Sequence, residues 1–336
     1  SMAAAEVYAE QLRRFNYGYP LWHPSPPNDD SEIHIGDIGF VEDGAFHRMF
    51  NALEPKDSPI NSRYAPPGYE PFKFKTDRSL YKIRNVIDKG ALSSKTIEKA
   101  AIKGSAGDHH VGAGFKFQCK GDQGAVLMMN HSADLEAIHG TPSLVKHLEA
   151  NWGDWLDHIS SGLDIQIPKK TCLMFIYGFR KTVDWAVASC ISGAKSAEFS
   201  LSADAVAAST AFSFSVSSKT EMSAEHNWGP RGRERIQPSA STSSLEDVKK
   251  DQSVFIHFYA MKRRLKVFPP TIMKAAAGYH NLPAPDRDSD SELPPVDILQ
   301  EVQTVDQLET DRDSPQVRCL LRDRAGYAIY RDSPVQ

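Results

Sequence analysis

In three stretches of this chain, 33–40, 115–119 and 198–217, apolar side chains alternate with small or polar ones. A period of two is the signature of a strand with one face buried, whereas a helix needs a period near 3.6. Residues 33–40 alternate in this way. The Asp43-Gly44 step that follows is a strong hairpin signal ahead of Phe46, Met49, Phe50 and Leu53. Residues 33–50 therefore read as a compact strand–turn element. Residues 54–71 hold Pro55, Pro59, Pro66, Pro67, Gly68 and Pro71, and read as a loop excursion.

The same reasoning runs along the chain. Residues 3–15 allow a short helix. Tyr17 to Pro24 is an extended aromatic segment suited to lie across a sheet, because proline disfavours helix in the residue before it. Residues 80–103 fit strand or helix. Phe115 to Cys119 and Ala125 to Met129 read as a second hairpin about a turn at 121–124. Cys172 to Phe179 reads as a strand buried on both faces, joined through 180–182 to another at 184–191. Residues 218–251 look like a polar loop, and Ser253 to Met261 like a last strand. Only one segment has a convincing helical period. Leu144, Leu148, Trp152, Trp155 and Ile159 share one face over about 143–160, with Thr141 or Ser143 as the N-cap around Pro142. The fold class expected is α+β and β-rich: an antiparallel sheet or sandwich with that helix packed on it.

Composition sets the outer limits. The chain has 336 residues, 40% of them hydrophobic, enough for one large domain with its own core. A single β-rich domain over 1–283 is expected. An acidic, proline-containing linker and tail follow over 284–336, opened by Asp286, Asp288, Asp290 and Glu292. A formal charge of −4 supplies no global basic field, so nucleic acid is an unlikely partner. The four cysteines stand apart with no zinc-ligand spacing, and no basic, apolar leader opens the chain. Both features point to a reduced, cytoplasmic protein without a metal. The longest continuous apolar run, Cys172 to Tyr177, is far too short for a transmembrane helix.

Several stretches resemble an uncharacterised protein family of mushroom-forming fungi. They are Tyr17 to Pro24, Ile35 to Phe40, Gly44 to Asn51, Gly124 to Leu127, Lys181 to Ala186 and Gln252 to Ile256. The resemblance spans most of residues 17–280. It implies a fungal origin and a single folded unit, and it carries over no functional residue.

No dinucleotide fingerprint, phosphate loop or Gly-x-Ser-x-Gly elbow is present, so no cofactor is expected. Gly178 to Thr182 is adequately explained as a hairpin turn. A catalytic site, if the chain has one, is assembled from distant residues. The pool is His47, His109, His110, His131, Asp184 and Cys190. His147, Asn151, Asp154 and His158 form a helix stripe read as solvated. Arg231, Arg233, Arg235, Lys262, Arg263 and Arg264 are candidates for binding an anion or lipid headgroup.

The most unusual tract is 198–217. Phe199, Leu201, Ala203 and Ala205 alternate with polar residues, and then the phase flips so that Phe212, Phe214 and Val216 alternate instead. A phase flip implies two amphipathic strands with a turn or bulge between them. Each is near the length of a bilayer-crossing β-strand, although a plain meander with one buried face is the simpler reading. The function expected is non-enzymatic binding of an unknown protein partner or an anionic membrane surface, with this hairpin as one route. The alternative is an enzyme built from the pool above.

Overall fold

The computed structural model describes residues 3–25, 32–75, 79–101, 114–168, 171–192, 197–204, 211–216, 222–230 and 249–261. His109, His110, all six candidate anion-binding residues and the 284–336 tail lie outside that set. The described residues form a β-rich α+β fold of three antiparallel sheets with two α-helices.

The first sheet, A, is built on β10 (Leu173–Thr182), every residue of which is buried. It pairs with β15 (Gln252–Met261), which also pairs with the short β1 (Tyr19–Pro20). On its other side β10 meets β2 (Asp37–Glu42) with one half and β9 (Ala133–Ile138) with the other. β3 (Ala45–Asn51) completes a hairpin with β2. Its turn residues Asp43 and Gly44 both have positive φ, as the Asp-Gly signal anticipates. β4 (Leu80–Ile87) pairs with β9 and forms an edge.

Helix α2 (Pro142–Asp157) covers one face of this sheet, continuing as a π-helical turn through Gly162. Thr141 caps it, its Oγ1 accepting from the Leu144 N–H at 3.2 Å. Leu144, Leu148, Trp152, Trp155 and Ile159 are all buried against Ile38, Phe50, Phe175 and Tyr259. The stripe read as solvated is instead partly roofed by the 54–75 excursion. His147 lies against Phe72 and Trp155, and the His158 Nε2 sits 3.2 Å from the Tyr64 carbonyl. Periodicity identified the face without showing that a loop folds back over it.

That excursion is held by polar bonds. The buried Asn61 amide donates to the carbonyls of Asn51, Glu54 and Pro55, and its Oδ1 accepts from the Asn51 N–H at 2.7 Å. Tyr69 adds its hydroxyl to the Asn51 carbonyl.

The other strands form two four-stranded sheets. Sheet B has the order β14 (Met222–Gly229), β11 (Trp185–Ser192), β8 (Gln123–Met129), β5 (Gly90–Ser93). Sheet C has the order β13 (Ala211–Val216), β12 (Ala197–Asp204), β7 (Gly114–Cys119), β6 (Ile97–Ala101). One face of B packs on helix α1 (Ala4–Arg13) through Ala4, Tyr8 and Leu12, and the other packs on C.

Three expectations need correction. β7 and β8 are not a hairpin: the turn at 121–124 carries the chain from sheet C to sheet B. Gly178 to Thr182 is the end of β10, not a turn. Residues 218–251 contain β14, which pairs along its whole length with β11.

Asn61→Ala should strand the buried Asn51 N–H, since the three carbonyls keep Tyr69 or Ser58 as donors, costing about 1–3 kcal/mol for a buried unsatisfied group. Chemical denaturation is expected to show that loss, together with faster proteolysis within 54–75. Unchanged stability would mean the excursion is held by its apolar contacts alone.

Candidate functional site

Sheets B and C share one strand order because each strand of B continues in sequence into a strand of C: β5 into β6, β7 into β8, β11 into β12, β13 into β14. At the two links within the described residues, 94–96 and 120–122, this four-stranded ribbon creases so that C folds face to face onto B, and the links 193–196 and 217–221 lie outside them. Strands that switch sheets in this way make the corners of packed sheets. Alternation then puts one face of each half inside. Ile97, Phe117, Cys119, Phe199, Leu201 and Phe212 of C meet Val126, Met128, Ala186, Ala188 and Cys190 of B. The outer face of C carries Glu98, Lys116, Gln118, Glu198, Ser200, Ser213 and Ser215, with Lys116 and Glu198 paired at 2.7 Å. The amphipathic hairpin read from 198–217 is thus β12–β13, paired Phe199 to Val216 through Asp204 to Ala211, with β13 at the sheet edge.

The crease allows a close approach. A Cβ on Gly124 would lie 2.6 Å from the Ile97 side chain and 3.0 Å from the Cys190 Sγ. Ser94 and Thr96 stitch the bend: their hydroxyls are 2.8 Å apart, the Ala125 N–H donates to the Ser94 Oγ, and the Lys120 N–H donates to the Thr96 carbonyl. Cys119 of C and Cys190 of B share the core between the two layers, the Cys119 thiol donating to the Gly121 carbonyl at 3.3 Å and the Cys190 thiol to the Gly124 carbonyl at 3.6 Å. Along the open side, Phe214 of β13 stacks on His226 of β14 at 3.9 Å, and His226 stacks on Trp228.

A second corner joins B to A, and here two residues of the catalytic pool meet. β8 runs into β9 and β10 into β11, so the links 130–132 and 183–184 lie side by side. The fully buried Asp184 carboxylate accepts from the Asn130 N–H at 2.9 Å and holds the His131 Nδ1 at 2.9 Å. The Thr182 hydroxyl donates to the His131 carbonyl. Beside this clasp, Asp134 accepts from the Asn85 N–H and from Lys250, and Lys250 also reaches Ser132. Ser132 in turn donates to the Asn85 Oδ1. Asn85 has φ +54 in a bulge of β4, a left-handed conformation that asparagine tolerates better than most residues.

The rest of the pool is dispersed. Cys190 is in the B–C core. His47 lies on β3 with its ring against Phe40. Among the described residues, no three His, Cys, Asp or Glu side chains converge as a metal site.

The missed polar group is Arg180–His257, in the middle of sheet A. The guanidinium donates to the Tyr17 carbonyl and approaches the His257 Nε2, which must act as the acceptor, leaving the ring proton on Nδ1. Burial and the adjacent guanidinium push the His257 pKa down to about 3. Nearby, Lys181 bonds to Glu32 and to the Ile33 carbonyl, and Lys249 takes the second Glu32 oxygen.

No family model matches the chain, and no curated protein matches it. Among the described residues no helix is long and apolar enough to cross a membrane, which leaves strand-mediated crossing open.

Below pH 6.5 the unfolded chain takes up a proton at His257 that the folded protein refuses until about pH 3. Stability should therefore fall on acidification through that window, by up to about 1.4 kcal/mol per pH unit from this group. Burial raises Asp37 to about 6, which works in the opposite sense between about pH 4 and 6. His257→Gln is expected to flatten the acid side of a stability-against-pH curve. An unchanged slope would show that His257 titrates normally.

Proposed function

We propose that the protein acts at an anionic membrane surface, with the crease as its working part: the C half of the ribbon leaves the B half and presents its apolar face to lipid. The observation that carries this reading is the matching strand order of the two sheets. Each strand of C keeps the neighbours of the B strand it is joined to, so the ribbon can straighten at the crease without any strand changing partner. Released, C offers lipid one apolar and one polar face, the alternation a membrane-crossing strand requires.

Magnitudes show why a membrane is needed. Exposing Ile97, Phe117, Phe199, Leu201 and Phe212 to water costs on the order of 10 kcal/mol, at about 1.5–3 kcal/mol for each buried side chain. Lipid returns most of that cost, because hydrocarbon is as apolar as the core of the crease. Arg231, Arg233 and Arg235, between β14 and β15, and Lys262, Arg263 and Arg264, after β15, supply cations for headgroups. Protein-partner binding through the same face is the other form of this reading.

A second reading rests on the His131–Asp184 pair. A buried carboxylate that fixes the Nδ1 proton leaves the Nε2 of a partly exposed imidazole free to exchange protons, the arrangement of a general acid–base.

Two experiments separate the readings. Dye release from vesicles of phosphatidylserine and phosphatidylcholine should exceed release from phosphatidylcholine alone. Phe214→Asp should abolish it without lowering Tm enough to unfold the protein. Diamide, which accepts the two thiol hydrogens, should join Cys119 to Cys190, lock the crease and stop release until a thiol reductant is added. Cys119→Ser should ignore diamide. Equal release from locked and unlocked protein would sink the crease reading. Asp184→Asn should keep one acceptor for the Asn130 N–H and donate to Nδ1, moving the ring proton to Nε2. Nitrogen NMR shifts of His131 are expected to show that inversion. A shift pattern unchanged from the parent protein would remove the basis for the acid–base reading.

A further inference from the structure

Among the described residues, strand β4 is an open edge of sheet A: it pairs with β9 on one side, and Lys82, Ile83, Arg84 and Asn85 are all exposed. Leu80 and Ile83 are 52% and 50% exposed, the two most exposed large apolar side chains among the described residues. An edge of this kind accepts an added strand through its outward N–H and C=O groups. What it accepts follows from its side chains. Leu80, Lys82 and Arg84 share one face by the strand period, so two cations stand two residues apart. Glu136 lies 3.9 Å from Lys82, at the outer limit of an ion pair, with the Lys82 side chain mostly in solvent and Glu136 partly buried.

A second copy of the chain fits this edge poorly. Antiparallel self-pairing about Ile83 would put Lys82 of one copy opposite Arg84 of the other, and like charges directly opposite are unfavourable. The chain itself contains the complement. Asp286, Asp288, Asp290 and Glu292 put a carboxylate at every second position, so an extended 286–292 would show all of them on one face. Pro283 and Pro285 precede the run, and Pro294 and Pro295 follow it. Prolines oppose helix and bound a proline-free stretch, 286–293, of eight residues, long enough to cover Leu80–Arg84, the part of β4 ahead of its bulge. Reach is ample. The 24 residues of 262–285 can span about 80 Å when extended. A folded domain of this size is only about 50 Å across.

We propose that residues 286–292 of the same chain add to the β4 edge as an extra strand of sheet A, with their carboxylates opposite Lys82 and Arg84. The added strand blocks the edge against other extended segments, and an acidic segment of another protein would have to displace it. This inference is independent of the crease.

The test uses the full chain and amide hydrogen exchange over residues 80–84. Those amides should exchange at least about tenfold more slowly in the parent protein than in a variant with Asp286→Lys, Asp288→Lys, Asp290→Lys and Glu292→Lys together. Adding Lys82→Glu and Arg84→Glu to that variant should restore protection by reversing both sides of the pairing. High salt should weaken protection in the parent and in the double-reversed chain alike. Equal exchange in the parent and the lysine variant would overturn the proposal. So would protection that disappears on dilution, because a second copy would then be supplying the strand. Dye release from phosphatidylserine vesicles, measured on the same variants, reads the crease separately, so failure of either idea leaves the other standing.

Discussion

The fold depends on strands that change sheet without changing partner. β8 and β11 pair in sheet B, and their continuations β9 and β10 pair in sheet A, so the two links between sheets coincide. Links of this kind leave the backbone ladder, and a buried group left out of the ladder must find another partner. Asp184 is that partner. One oxygen takes the Asn130 N–H and the other takes His131, so a single buried carboxylate closes the gap in the ladder where both strands turn. Burial of its charge is tolerable because the bonds it receives are short and specific. Sheet A can then be central to the protein while sheet B leads away from it.

The same device recurs at the crease with different chemistry. There the bend is narrow, held by small residues and hydroxyls: Ser94, Thr96, Gly121 and Gly124. Beyond it the layers meet through aromatic and aliphatic side chains with two thiols between them. The A–B corner is thus fixed by a buried charged clasp, and the B–C crease by neutral hydrogen bonds at its bend and apolar contact beyond it. Apolar contact has a substitute in lipid, and a clasp of directed hydrogen bonds has none.

Sequence periodicity made the strands legible, and the helix with them. The Asp43-Gly44 turn and the five apolar residues of α2 appear in the structure as their spacing implies, whereas the strand expected from alternation at 33–40 lies at Asp37–Glu42 and is buried on both faces. Pairing partners were not legible. The glycines at 121 and 124 look the same whether the chain turns back into a hairpin or bends from one sheet into another, because both require only a local reversal of the backbone. Likewise, nothing local to His131 marks Asp184 as its partner; they are 53 residues apart and are brought together by pairing of β8 with β11. His147 was misread for a related reason. Its exposure depends on where a proline-rich excursion settles, and that depends on Asn61 and Tyr69 bonding to the end of β3.

Edges complete the argument. An antiparallel sheet that ends in a strand with exposed Leu80 and Ile83 invites association, and lysine or arginine on the strand is a common defence. Lys82 and Arg84 would serve that purpose against a second copy. The same two charges cannot repel an acidic strand, and they attract it at the period the strand itself imposes. The Asn85 bulge limits the length of such a pairing: beyond it the strand bends to meet Asp134 and Lys250 and is no longer straight. A pairing stretch that starts at Leu80 and ends before Asn85 has room for Lys82 and Arg84, with Leu80 and Tyr81 ahead of them. Specificity at this edge therefore comes from charge spacing more than from apolar contact, since Leu80 and Ile83 point to opposite faces and form no single patch.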